Sequence, residues 1–165
     1  MMRYILLFVF IVSNVQLMGQ TGNTNLIRQI DSLKQELVKP ETDSIKGDIL
    51  SRISMNYMHI NPDSSKYYGE NAIKFFEKTK NFRQQVFTTG QVMESYIKLG
   101  NLPKALELGL NILPLIEDRG VYKSGVGPIY DNLGLIYHYL GDNEKSLQYY
   151  RKMVTRGDVD MRGVA

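Results

Sequence analysis

The sequence predicts an all-α fold: a right-handed superhelix of antiparallel helix hairpins, with about three repeats of about 40 residues. Strand-like alternation is scarce, whereas apolar residues recur at helical spacing from residue 24 onward. Three sets of matched residues also recur at spacings of 39 to 41, namely Tyr57, Tyr96 and Tyr137; Ser65, Ala105 and Ser146; and Ala72, Ile112 and Met153. Because three independent markers share one period, the chain is predicted to contain internal repeats.

The composition is that of a packed domain. Apolar residues make up 43% and charged residues 22% of the chain, close to globular averages. The net charge of +3 is spread along the sequence without a basic stripe, so we expect no nucleic-acid partner. The chain has no cysteine, which excludes disulfides, thiolate metal sites and cysteine nucleophiles.

The first residues predict a signal peptide over 1–19. Arg3 is the only charge before Arg28, residues 4–12 are uniformly apolar, and Gly19 offers a small residue for cleavage. The apolar run is shorter than the roughly 20 residues needed to span a bilayer, and no later run is longer. We therefore expect an exported chain, periplasmic or secreted, whose mature part does not insert into a membrane.

A helical domain is predicted over residues 20–155, beginning with a helix over 24–39 that Pro40 ends. One face of this helix carries Leu26, Ile30, Leu33 and Leu37. The first repeat follows over 43–79, and one face of its first helix carries Ile45, Ile49, Ile53 and Tyr57. Residues 61–64 break this helix and provide capping residues for the next one.

The second repeat is predicted over 82–118 and the third over 124–155, with hairpin turns at Gly100 and Gly141. Pro114 lies inside the second helix of repeat two, where it either kinks the helix or follows an early end near Asn111. Residues 156–165 are predicted to form a polar tail.

The third repeat carries a recognisable order of residues: aromatic, Leu-Gly, Tyr, turn Gly, small residue, aromatic. The residues are Tyr130, Leu133, Gly134, Tyr137, Gly141, Ser146 and Tyr150. This order resembles the tetratricopeptide repeat. The second repeat retains Tyr96, Gly100 and Ala105 of that signature, and the first retains Tyr57 and Ala72.

Residues 1–155 are also similar to the start of exported bacterial signalling proteins. In those proteins such repeats precede a membrane helix and a histidine kinase or a DNA-binding regulator module. That resemblance implies an alternative function: the chain is the truncated sensory or adaptor front of a signal-transduction protein.

The repeats are expected to form a concave groove lined by the first helix of each hairpin. The groove residues predicted from repeat position are Asp48, Ser51, Met55, Met58, Phe87, Gly90, Glu94, Ile97, Asp131, Leu135 and His138. This mixed, partly apolar face suits an extended peptide or a helix of a protein partner, as in a non-catalytic scaffold. A clamp for a terminal carboxylate, built from Lys98 and Asn132, is a weaker alternative because Asp131 lies where a cation is needed.

No constellation of residues indicates catalysis, a metal or a cofactor. His59 and His138 have no second ligand one helical turn away within the same helix. Glu94, Glu107 and Glu117 form no evident acid/base pair. Arg-Gly-Asp at 156–158 matches a cell-adhesion tripeptide, but three residues recur often by chance.

The last predicted helix leaves an apolar edge without a covering repeat. Its residues are Leu147, Tyr150 and Met153. We expect weak self-association through this edge.

Overall fold

The computed structural model describes residues 23–39, 42–119 and 125–161, and these form helices and turns with no strand. Residues 23–36 are helical and form α1. The helices that follow are α2 (Asp43–Tyr57), α3 (Pro62–Thr79), α4 (Phe82–Lys98), α5 (Leu102–Arg119), α6 (Gly127–Tyr139) and α7 (Asn143–Met161).

The helices pack as three hairpins stacked side by side. α2 packs on α3, α4 on α5, and α6 on α7. Between hairpins, α2 contacts α4 and α4 contacts α6. In the described part of the chain, the backbones of α3 and α5 do not come close to each other, nor do those of α5 and α7. Side chains alone bridge α5 and α7, as in the pair of Glu117 and Lys152 at 3.6 Å. A stack whose first helices meet while its second helices diverge is curved, so α2, α4 and α6 line its inner side.

The buried core runs along the whole stack. α1 joins it through Ile30 and Leu33, which pack in one cluster with Ile49 and Ile53 of α2. α2 and α3 share a second cluster centred on Phe76. α4, α5 and α6 share the largest cluster, and the partly buried hydrophobic residues packed against it include residues of α7. α1 therefore covers the apolar face that the first hairpin would otherwise expose.

Turn and cap residues fix where each hairpin reverses. Gly100 and Gly141 adopt φ angles of 74° and 79°, which lie in the left-handed region that glycine occupies without strain. The helix after each turn begins with a side-chain cap: Asn61, Asn101 and Asp142 each accept a hydrogen bond from the backbone N–H three residues later. The two signature glycines are thus required by the turn itself.

Glycine also allows the helices to approach closely. A Cβ atom on Gly69 would lie 2.4 Å from Cγ2 of Val92 and 2.8 Å from Oγ of Ser54. A Cβ atom on Gly109 would lie 2.7 Å from Cδ2 of Leu133. In both cases the glycine of a second helix faces the first helix of the next hairpin, so it sets the separation between hairpins.

The third hairpin corrects the predicted apolar edge. The ring of Tyr150 packs over Gly134, where an added Cβ atom would lie 2.8 Å from it, and Met153 packs on the core. Both side chains therefore face inward and are only partly exposed. Leu147, exposed by 50% as expected, forms the apolar surface of α7 together with Val154, which is exposed by 55%.

The tyrosine that marks each repeat lies beneath a lysine. Tyr57 has Lys34 at 5.3 Å from its ring centre, and Tyr137 has Lys145 at 5.1 Å, both within cation–π distance. The hydroxyl of Tyr96 donates a hydrogen bond to the Glu70 carboxylate. Burial, together with this carboxylate, raises the pKa of Tyr96 to about 12, so the ring remains a neutral donor near pH 7.

Two helices, α5 and α7, are longer than predicted. α5 continues through Pro114 to Arg119 rather than ending near Asn111. α7 continues to Met161, past the predicted start of the tail at residue 156, because a single glycine costs a helix only about 1 kcal/mol. The predicted signal peptide, the side chains of residues 156–158 and the last tail residues lie outside the described residues.

We predict that Gly69→Ala destabilises the fold, because its Cβ would meet Val92 on α4 and Ser54 on α2. Overpacking costs about 1–3 kcal/mol, which outweighs the gain in helix propensity of about 1 kcal/mol. Chemical denaturation would measure the free energy of unfolding. Gly127→Ala is the matched control, since no atom lies within 4 Å of its Cβ position. Equal stability of the two variants would contradict the close contact.

Candidate functional site

A row of three recesses follows the inner side of the stack. The first recess lies between α1 and α2 with a volume of about 250 Å³, the second between α2 and α4 with about 310 Å³, and the third between α4 and α6 with about 720 Å³. Arg52 and Met55 border both the first and the second recess. On α4, Gln91 of the second recess is three residues from Glu94 of the third, so the recesses form one groove.

Three helix pairs supply the walls of the groove. The first recess is lined by Gln29, Ser32, Leu33, Glu36, Arg52, Met55 and Asn56. The second is lined by Asp48, Ser51, Arg52, Met55, Gln84, Phe87 and Gln91. The third is lined by Glu94, Ile97, Lys98, Gly100, Leu102, Asp131, Asn132, Leu135 and Tyr139.

Most residues predicted for the groove line one of these recesses. Asp48, Ser51, Met55 and Phe87 line the second recess. Glu94, Ile97, Asp131 and Leu135 line the third. The structure thus brings the predicted residues of repeat one next to those of repeat two, and those of repeat two next to those of repeat three.

Three predicted groove residues lie elsewhere. Met58 is the C-terminal cap of α2, and His138 lies in the last turn of α6 next to Asn143. Both lie at the C-terminal end of a first helix, and neither lines any of the three recesses. Gly90 is buried beneath Pro128, whose Cβ would lie 2.9 Å from a Cβ added there, so it serves helix packing.

Several groove residues were not predicted. Arg52, Gln84 and Gln91 line the second recess, and α1 contributes a whole wall of the first. Gln84, Phe87, Gln91, Glu94 and Lys98 follow one another at steps of three or four residues along α4. Extending the stripe from Phe87 in both directions would have found the two glutamines.

The second recess contains buried acceptors without donors. Gln91 is only 7% exposed, and its side-chain oxygen Oε1 has no hydrogen-bond partner. Oδ1 of Asp48 is likewise buried without a partner. Burial raises the pKa of the Asp48 carboxyl, and the positive charge of Arg52 opposes that rise. The hydroxyl of Ser51 is already used, since it lies 2.7 Å from that of Thr88 in a buried hydrogen bond.

The third recess does not hold a free carboxylate clamp. Nζ of Lys98 lies 2.8 Å from the Glu94 carboxylate and also donates to the Met58 carbonyl at 3.1 Å. The side-chain amide of Asn132 donates to the Gly90 carbonyl at 3.0 Å. Both residues considered for the clamp are thus occupied in joining one hairpin to the next.

The residues considered for metal binding and for acid/base chemistry can be placed in the described part of the chain. No group of three or more His, Asp or Glu side chains is close enough to hold a metal ion in the described ranges. Glu94, Glu107 and Glu117 each pair with a lysine. Within residues 23–39, 42–119 and 125–161, every helix is too short or too polar to cross a membrane.

Residues 127–156 match the family model of the tetratricopeptide repeat. These residues include Leu133, Gly134, Tyr137, Gly141 and Ser146 of the predicted signature. The fold is also similar to that in the crystal structure of a Rap protein complexed with competence and sporulation factor, with a TM-score of 0.69 and 20% sequence identity. The chain has a tetratricopeptide-like fold.

The similarity covers 86% of this chain and 41% of the Rap chain, so the present chain spans less than half of that protein. No curated protein matches the sequence. The predicted fold class, an all-α solenoid of antiparallel helix hairpins, is confirmed by this tetratricopeptide-like fold. The chain is a helical-repeat scaffold, and its groove lies on the inner side of the stack.

Proposed function

We propose that the chain is a non-catalytic protein-interaction module that binds an extended peptide or a helix of a partner in its inner groove. The observation that carries this proposal is the continuous row of three recesses along α1, α2, α4 and α6. The solved Rap protein of similar fold is described as a complex with competence and sporulation factor. That partner belongs to that protein, and it supports here only the use of such a scaffold for binding.

The third recess has the character of a peptide-binding surface. Ile97, Leu102 and Leu135 provide apolar area, while Glu94 and Asp131 stand at its borders. Binding sites commonly combine apolar walls with a few placed polar groups. At about 720 Å³ this recess is the largest of the three, so we assign it the main apolar anchor of the partner.

The basic residues of the groove that could attract an acidic partner are already paired. Lys98 binds Glu94 and the Met58 carbonyl within the groove. Arg52 faces Glu36 at 3.8 Å. The groove therefore has no concentrated positive charge, which favours a partner with apolar and basic side chains over an acidic one.

We expect peptides selected by display against the chain to lose affinity when the third recess is altered. Leu135→Lys places a charge on its apolar wall. The substitution should raise the dissociation constant by about tenfold or more, as for an interface anchor. Fluorescence anisotropy with a labelled peptide measures the effect. Leu110→Lys on α5 is the control, since Leu110 is 39% exposed and lines none of the three recesses.

The two variants should have similar melting temperatures, which separates lost binding from lost folding. An unchanged dissociation constant in Leu135→Lys, with Leu110→Lys equally neutral, would place binding outside the groove and contradict the proposed function. Leu135→Gln provides a milder substitution at the same wall, should the lysine variant unfold.

We further propose that the module acts outside the cytoplasm, because Arg3 and the apolar run over 4–12 have the form of a signal peptide. Native protein from the cell envelope should then have an intact mass about 2 kDa below the 18.9 kDa precursor. An uncleaved mass of 18.9 kDa would contradict export by cleavage. A much heavier product would favour the alternative function, the sensory front of a longer signalling protein.

A further inference from the structure

We propose that the second recess is a pocket for a basic side chain, and that it takes a lysine or arginine of the peptide held in the groove. The proposal rests on the proposed function, because it names one side chain of the peptide that the groove would bind. It is specific to the space between α2 and α4, one hairpin away from the apolar third recess.

Two residues that line the second recess have hydrogen-bond acceptors without donors. Gln91 is more than nine-tenths buried, yet its side-chain oxygen in this recess has no donor. Asp48 lines the same recess, and its buried Oδ1 also lacks a donor. Buried acceptors in native proteins are normally satisfied, because leaving one unpaired costs free energy. A ligand that brings N–H donors into this recess would satisfy both oxygens.

The second recess also carries a negative charge. Asp48 contributes a carboxylate to the recess, and the nearby guanidinium of Arg52 faces Glu36 at 3.8 Å across the border with the first recess. An acidic ligand would meet the Asp48 carboxylate. A neutral amide could donate a hydrogen bond but would add no positive charge to that of Arg52, which already acts on this partly buried carboxylate. A cation supplies donors and compensates the charge, so it fits the recess best.

The walls of the second recess are partly apolar. Met55 and Phe87 provide apolar surface beside the two oxygens. Lysine and arginine carry an apolar stem that ends in a charged group, so the stem can lie along these walls while the head reaches the acceptors. The ring of Phe87 offers a further favourable surface for a guanidinium. The hydroxyls of Ser51 and Thr88 are bonded to each other and do not compete for the head group.

The experiment compares four blocked pentapeptides, acetyl-Ala-Leu-Xaa-Leu-Ala-amide, in which Xaa is arginine, citrulline, norleucine or glutamate. Citrulline keeps the shape of arginine and part of its N–H donors, has an oxygen in place of one nitrogen, and carries no charge. Each peptide is titrated into the isotope-labelled chain, and backbone amide shifts report both the affinity and the location of binding. We expect the arginine peptide to bind at least about tenfold more tightly than the citrulline peptide, with shifts at Asp48 and Gln91.

Two variants and one control assign the effect to the pocket. Asp48→Asn keeps the size of the side chain and removes its charge, so it should abolish the preference for arginine over citrulline. Gln91→Glu adds a second carboxylate and should strengthen the preference. Glu107→Gln on α5 removes the same charge outside the groove, where Glu107 pairs with Lys104, and should leave the preference unchanged.

The outcomes separate this proposal from the one it rests on. Groove shifts with equal affinity for arginine and citrulline would overturn the basic pocket and leave peptide binding in place. A preference that survives Asp48→Asn would also overturn it. If none of the four peptides shifts amides of the groove, peptide binding fails and the pocket fails with it. Loss of the preference in Asp48→Asn but not in Glu107→Gln would establish the pocket.

Discussion

Close contact between neighbouring hairpins is the constraint on which the rest of the structure depends. Gly69 and Gly109 bring α3 and α5 against the next first helix, where even a methyl group would collide with Val92 or Leu133. The second helices are thereby held behind the first ones, and α2, α4 and α6 meet along the inner side. The spacing between hairpins also sets the width of the recesses between these helices. Gly69 and Gly109, which line none of the recesses, therefore help to determine the shape of the groove.

The inner seam differs in chemistry from the core behind it. Between α2 and α4 the contact is a hydrogen bond between the hydroxyls of Ser51 and Thr88, and between α4 and α6 it is the amide of Asn132 on the Gly90 carbonyl. The core behind the seam is mainly apolar, apart from the buried, hydrogen-bonded hydroxyls of Ser54, Ser65 and Ser95. Directional bonds along the seam fix the register of one first helix against the next, which burial of apolar area alone does not do. The polar groups left over, Asp48 and Gln91, lie in the recess beside this seam.

Sequence patterns predicted the fold better than they predicted the groove. The fold class could be predicted because tyrosines, glycines and small residues recur with a period of about 40 residues. Each of these residues is required by a turn or a helix contact. The groove lies on a face with no such marker, since a glutamine in a binding recess and one in solvent have the same local pattern. Arg52 was therefore missed, and Gln91 was missed although it continues the helical stripe of Phe87. Met58 and His138 were assigned to the groove, but they lie at helix ends and line none of the three recesses.

The central claim is that the inner side of this stack is a peptide-binding groove whose walls are the first helices. The most direct measurement is a backbone amide shift map of the labelled chain with a tightly bound, display-selected peptide. The account predicts a continuous track of shifted amides along the inner faces of α2, α4 and α6, including Met55, Gln91 and Leu135. A track confined to the outer helices α3, α5 and α7, with the three recesses unperturbed, would contradict it.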